Sequence, residues 1–407
     1  MRLILCTVAA ALATPCQAAE PEASPYSATA AIGATRDDNL FRAPPGQEQG
    51  DRYVTSSLAA DADQRWGRQR LQARALVSNN RYRLHDELDN TGYSGRLAWA
   101  GSTEGDISWT LSQEGARQLA SYVTVLDPTF HGANTQTIDQ TQARLQLGLQ
   151  AEWVANAALS RRRVDHTAPA FERDRVRLDS AGLGLQWNPL GPLSASIGPR
   201  WSRGRVPLAS DGVDRSFRRT DIDFGLSWVV TGQSVLHARL SGTRQRPDLS
   251  GQADFSGTTG QLDAQWTVSG RTRLSLALSR DTGSETAFFA PPGPGQALGG
   301  NGDDSQLTTA LAAHAEHDLT GKISLSGDLQ FAQRALAAGG VQGGSVVALS
   351  GSDRSTLARL GLRYTPTRSV LLGCDATRER RSTSGGLSAA YRVNVMACNA
   401  ALTLRWS

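Results

Sequence analysis

The sequence predicts an all-β fold: a transmembrane antiparallel up-and-down β-barrel of about 18 strands, with short periplasmic turns and long extracellular loops. Three observations carry this reading. Apolar and polar residues alternate with period two from near residue 26 to the C-terminus. The breaks between these runs are alternately short and long. Large amphipathic rings recur just before the short breaks, as in "IDFGLSWVVTGQSVLHARLSG" (222–242).

The first element is a targeting segment. "MRLILCTVAAALATPCQAAE" has a basic Arg2, an apolar run from Leu3 to Ala13 and small residues before Glu20, which predicts a cleaved signal peptide over 1–19. Pro15 stands before Cys16, where a lipoprotein signal needs a small residue. The rest, 20–407, is expected to form one barrel domain in the bacterial outer membrane. Mean hydropathy is −0.34, and no later stretch approaches the roughly 18 apolar residues of a spanning helix. With 41 Gly in 407 residues and no sustained 3.6-residue period, helical bundles and α/β folds fit poorly.

The net charge is +4 and almost wholly arginine, since Lys322 is the only lysine. The cations are dispersed, so no nucleic-acid surface is expected. Strand-like runs begin near 26, 53, 69, 92, 106, 139, 157, 176, 193, 219, 235, 258, 272, 306, 322, 356, 369 and 391. Short breaks include Gly67-Arg68, Ala155-Asn156, Thr231–Ser234 and Ser269–Arg271; long ones include 39–51, 116–137, 282–304 and 335–355. A sheet in hydrocarbon must pair every backbone group, so it spans only by closing on itself.

Both faces of the runs follow this pattern. Val54, Leu58, Ala60, Ala62 and Trp66 share one face of their run; Thr55, Ser57, Asp61, Asp63 and Arg65 share the other. The aromatics Trp66, Trp99, Trp153, Trp187, Trp228, Trp266, Tyr364 and Trp406 all fall on apolar faces near the short-turn end. A soluble sandwich core would scatter them in depth, whereas a membrane interface collects them at one level. The final run, "CNAALTLRWS", is similar to the terminal strand read by the outer-membrane assembly machinery, with Ser407 following the aromatic.

The polar faces would line an aqueous lumen, because 16–18 strands ordinarily enclose a channel. Arg70, Arg74, Arg144, Arg200, Arg239, Arg273, Arg359 and Arg363 project there, with Asp61, Asp63, Asp221 and Asp223 among the carboxylates. Either these charges set a field that favours anions and sugars, or they pair with one another and solvate the wall. No catalytic, metal or cofactor site is expected. His314 and His317 form the only close histidine pair, and i, i+3 spacing on a strand puts them on opposite faces.

Only Cys374 and Cys398 follow the signal segment. If the last hairpin turns about Gly386, the two face each other on the apolar parity, as a cross-strand disulfide or as two buried thiols.

Residues 28–46 contain Asp-Asp-Asn-Leu-Phe-Arg (Asp37 to Arg42), followed by "DRYVTSSLAADADQRWGRQRLQARALVSNNRYRLHDELDNTGYSGRLAWAGSTEGDISWTLS". Over 28–112 these segments resemble the EpsL-like outer-membrane barrels encoded with exopolysaccharide genes in exosortase-bearing proteobacteria. More loosely, they resemble porin-like barrels with an Asp-Asn stretch after the first strand. The resemblance implies a part in polymer assembly or export, with polysaccharide and periplasmic export components as partners. From the residues alone, the stretch reads as an Asx-capped turn with Leu40 and Phe41 packed at the rim. A general diffusion porin, or a closed structural or adhesin-like barrel, shares the same fold and stays open as an alternative.

Overall fold

The computed structural model describes residues 24–122, 130–148, 152–169, 171, 175–189, 191–207, 215–248, 254–282, 305–342, 345–385 and 388–406. The expected signal segment, most of 282–304 and the hairpin centre Gly386 lie outside these residues. Among them run eighteen strands: β1 (Tyr26–Asp37), β2 (Asp51–Trp66), β3 (Gln69–Tyr82), β4 (Asn90–Ser102), β5 (Ile107–Leu119), β6 (Thr135–Leu147), β7 (Trp153–His166), β8 (Val176–Trp187) and β9 (Leu193–Val206) complete the first half. The second half is β10 (Arg215–Thr231), β11 (Ser234–Pro247), β12 (Phe255–Ser269), β13 (Thr272–Asp281), β14 (Ser305–Asp318), β15 (Ile323–Gln342), β16 (Ser345–Tyr364), β17 (Val370–Ser384) and β18 (Tyr391–Trp406).

Each strand pairs antiparallel with its neighbours in sequence, and β1 also pairs with β18, Tyr26 opposite Trp406. The sheet therefore closes on itself with no edge strand, although the β15–β16 ladder runs on past its neighbours and the β8–β9 ladder skips Leu183-Gly184 opposite Pro199.

One of the short turns depends on glycine. Gly67-Arg68 joins Trp66 directly to Gln69, and Gly67 takes the left-handed φ of 56° that a two-residue hairpin needs. Gly232-Gln233 and Gly270-Arg271 also make two-residue turns in the β10–β11 and β12–β13 hairpins, with register shifts beside them and no left-handed glycine.

The apolar parity faces outward. Leu58 and Leu360 are each 67% exposed, while on the inner parity Asp221 is fully buried. This inversion of the soluble pattern, apolar outside and polar within, suits a wall bathed by lipid. The buried apolar residues gather instead at the long-loop end.

Two segments differ from the sequence reading. β6 ends at Leu147, where the next residue, Gly148, takes a φ of 90°, and β7 opens at Trp153, so Ala155-Asn156 lies within the β6–β7 ladder and is not its turn. Trp153 therefore opens β7 and does not close β6, though it stays at the same end of the barrel. The expected long loop 335–355 is instead a strand extension: β15 and β16 stay in register out to Gln342 opposite Ser345. Its Ala- and Gly-rich run shows no amphipathic alternation, yet a backbone ladder needs none.

Candidate functional site: the lumen and its extracellular mouth

All twelve sequence-predicted lumen residues lie on the inner parity of their strands. Asp61 sits opposite Arg74 on β3, with Arg74 Nε 3.5 Å from its carboxylate. Arg70 donates from Nε to Asp63 Oδ1 at 2.7 Å and makes a second, shorter contact from Nη2. Arg273 lies 3.2 Å from Glu316 and 3.3 Å from Asp318. Arg359 is paired in register with Asp328 and donates to Thr377 Oγ1 at 3.1 Å. Arg144 makes no ion pair with any described residue, and Arg363 is the penultimate residue of β16, at its short-turn end.

The densest part spans β9 to β13. Arg200 donates from Nε to Asp223 Oδ2 at 2.8 Å and lies 3.3 Å from Asp221. Arg239 approaches Asp223 at 3.6 Å and Asp281 at 3.7 Å. Ser241 donates to Asp223 Oδ1 at 2.5 Å. Beside them lies Arg219, which the sequence reading did not single out. Its Nη2 donates to Asp221 Oδ1 at 2.9 Å, and its Nη1 to Asp281 Oδ1 at 2.6 Å and Thr282 Oγ1 at 2.7 Å. Thr243 and Thr259 complete the cage, each 3.3 Å from Nη2. One planar fork thus links β10 to the next three strands. The signal in the sequence was the Arg219, Asp221, Asp223 parity in "RRTDIDFG"; the partners on β12 and β13 required the register.

At the mouth, the Asp37–Arg42 stretch folds as an Asx-capped turn. Asp37 Oδ1 accepts the Asn39 N–H at 2.9 Å, and the buried Asn39 amide bridges Ala43 and the Arg392 carbonyl. Arg42 takes a φ of 54° and donates to Asp37 Oδ2 at 2.7 Å. This geometry aims Phe41 into a cluster from four loops. Its ring lies 4.5 Å from His131, 5.0 Å from His85 and 5.1 Å from Tyr122. Leu88, Ala168 and Phe171 join it.

Asn134, fully buried, hydrogen-bonds His166 Nδ1 at 3.0 Å and accepts the Ala168 N–H. Phe171 stacks on His166 at 5.4 Å. Tyr82 and His166 lie on the inner parity, so the described residues of the loops after β1, β3, β5 and β7 pack inward at the mouth. Burial pushes the Tyr122 phenol well above its usual range. A hydrogen bond from His85 holds Glu87 below the ordinary glutamate value.

The eight predicted interface aromatics all stand on the outer parity at the short-turn end. Seven are exposed; Trp187 is half-buried against Trp153, ring centroids 6.4 Å apart. Trp99 donates from its indole to Gln69 at 3.1 Å and Trp187 to Glu152 at 2.7 Å, which fixes the polar edges toward the turns. Tyr26 stacks on Trp406 across the β1–β18 closure.

Cys374 and Cys398 are directly opposed in the β17–β18 register and are bonded, Cα to Cα 4.0 Å. Tryptic digestion of unreduced protein is expected to release one linked pair of peptides carrying these residues. Two separate thiol peptides in protein taken from the envelope would refute the bond.

No known protein family and no curated protein matches the sequence. Among solved structures the chain is similar to the ferric-catecholate import receptor Fiu from Escherichia coli K12, at 10% identity and a TM-score of 0.46, covering 94% of this chain and 82% of that one. It is similar to the FrpB iron transporter of Neisseria meningitidis at 9% identity and a TM-score of 0.46, covering 87% of this chain but only 62% of that longer one. It is also similar to OpdL of Pseudomonas aeruginosa at 12% identity and a TM-score of 0.45, with 94% of this chain and 99% of that one covered.

Proposed function

We propose that this chain is an outer-membrane conduit that takes part in exopolysaccharide export, working with periplasmic export components. The observation that carries the conduit is the wall itself: guanidinium, carboxylate and hydroxyl groups line the lumen from Arg70 and Asp63 near the short turns to Arg219 and Asp281 nearer the mouth. Such a wall offers a polyhydroxylated chain donors and acceptors in place of its hydration shell. The resemblance over residues 28–112 supplies the polymer. No catalytic step belongs to this reading. The terminal strand β18, which seals the barrel against β1, is the segment the assembly machinery would engage.

A general porin is the second reading, favoured by the pairing just described. Arginines and carboxylates facing one another set a transverse field suited to small charged solutes. Because most lumen arginines are paired, the anion preference expected from their number is reduced to the contribution of groups such as Arg144. Planar-bilayer recordings of the full-length protein are expected to show channels with a modest anion preference, and Arg144→Glu is expected to shift the reversal potential toward cations. Absence of conductance would sink both conduit readings and favour a closed barrel with binding loops. A gene deletion that abolishes secreted polymer while leaving small-solute uptake unchanged separates export from diffusion.

A further inference from the structure

The outer wall carries a feature the conduit does not use. On β7–β11 the outward positions near the long loops include arginines in register rows. Arg163, Arg177 and Arg205 oppose one another directly. One row below, Arg203, Arg218 and Arg246 do the same. Like charges directly opposed destabilise a sheet unless something lies against them.

At the short-turn end of these strands the outward residues are Trp153, Trp187 and Trp228 with aliphatic neighbours, and no outward arginine. A composition-driven excess of arginine would fall on both ends. The described counter-charges concentrate on one side: Asp179 accepts from Arg161 at 2.6 Å, and Asp139 and Asp165 face Arg163. Toward β11 they thin out, with Asp248 3.9 Å from Arg218 and Asp254 3.8 Å from Arg246.

There the wall is also indented. A groove of about 650 Å³ is bordered by Arg218, Arg244 and Arg246, with Thr220 and Ser256 offering hydroxyls. Its floor is open because Gly242 stands where a side chain would project, with nothing within 4 Å of the missing Cβ. Arg244 makes no ion pair with any described residue. Directly below lie the exposed Ile222, Phe224 and Leu240, facing hydrocarbon.

We propose that this groove binds the phosphate of a phosphorylated lipid headgroup in the leaflet around the loop end. Two or three guanidinium forks take the phosphate oxygens, and the acyl chains lie along the apolar wall beneath. The occupant is a lipid and not a free anion, because the phosphate site and the apolar track form one continuous surface. The proposal rests on the barrel spanning the outer membrane with its loops outward, and its test is scored apart from conductance.

The test uses full-length protein in detergent with diphosphorylated lipid A as the probe, bound lipid being read by native mass spectrometry and titration. Wild type is expected to retain the phosphorylated lipid through gel filtration and to release its fully dephosphorylated counterpart. The triple variant Arg218→Gln/Arg244→Gln/Arg246→Gln is expected to bind about 100-fold more weakly, the loss of three cations at a charged surface. Gly242→Leu, which fills the groove and keeps all three charges, is expected to weaken binding at least tenfold; it serves as the second measure should the triple variant fail to assemble. Equal retention of the dephosphorylated lipid, displacement of lipid A by millimolar inorganic phosphate, or unchanged affinity in both variants would overturn the proposal. Any of these with normal bilayer conductance leaves the conduit reading standing.

Discussion

Replacing Arg219 by methionine is expected to destabilise the barrel by about 3–5 kcal/mol, among the largest effects of any single lumen substitution. The side chain is fully buried and its fork holds two carboxylates, Asp221 and Asp281, that are themselves almost fully buried. Methionine fills much of the volume but leaves Asp221 with Thr243 and the more distant Arg200 as compensation. The cost is therefore that of stranded buried charge, which exceeds the net worth of the ion pair. Denaturant unfolding in lipid vesicles measures it. The double variant Arg219→Met/Asp221→Leu should recover part of the loss, because it removes one of the two stranded groups. If bulk water reached this part of the lumen freely, the pair would behave like an exposed one worth about 0–1 kcal/mol, and a loss that small would show the cage to be wet.

The parity of the wall was legible in the sequence; its long-range contacts were not. Asp221, Asp223 and Trp228 could be assigned to faces because side chains alternate strictly along a strand. The opposition of Cys374 and Cys398 followed from one turn centre, since register is fixed once a hairpin turn is placed. Trp153 was set on the wrong strand because "LQLGLQAEW" keeps alternating through its break, and only the φ of Gly148 reveals the turn.

The outward reach of β15 and β16 was hidden by alanines and glycines, which pair through backbone with no amphipathic trace. Arg219 touches Asp281, 62 residues away, and Asn134 touches His166 across 32. Such pairings depend on how many strands intervene. No local pattern records that.

Phe41→Ala is expected to loosen the mouth while leaving the barrel assembled. The ring packs on His85 from the loop after β3 and on Tyr122 and His131 from the loop after β5, so its removal strips one partner from two loops at once. Excising a buried Phe ordinarily costs about 3–5 kcal/mol. Here the loss cannot exceed the free energy that holds the loops in place, because they can open without unfolding the strands.

The expected signature is therefore split. Unfolding of the barrel should shift little, whereas trypsin cleavage after Arg42, now held by Asp37 and Asn39, should accelerate at least tenfold. Single-channel conductance should rise, because the cluster leans on the lumen-facing Tyr82 and His166. Faster cleavage with unchanged conductance would mean that the loops cover the mouth without limiting flow, leaving the constriction to the charged cage around Arg219. Unchanged cleavage would mean that the Asx turn from Asp37 to Arg42 is rigid without its aromatic anchor. Measured together, the two readouts separate a gate made of packed rings from one made of paired charges.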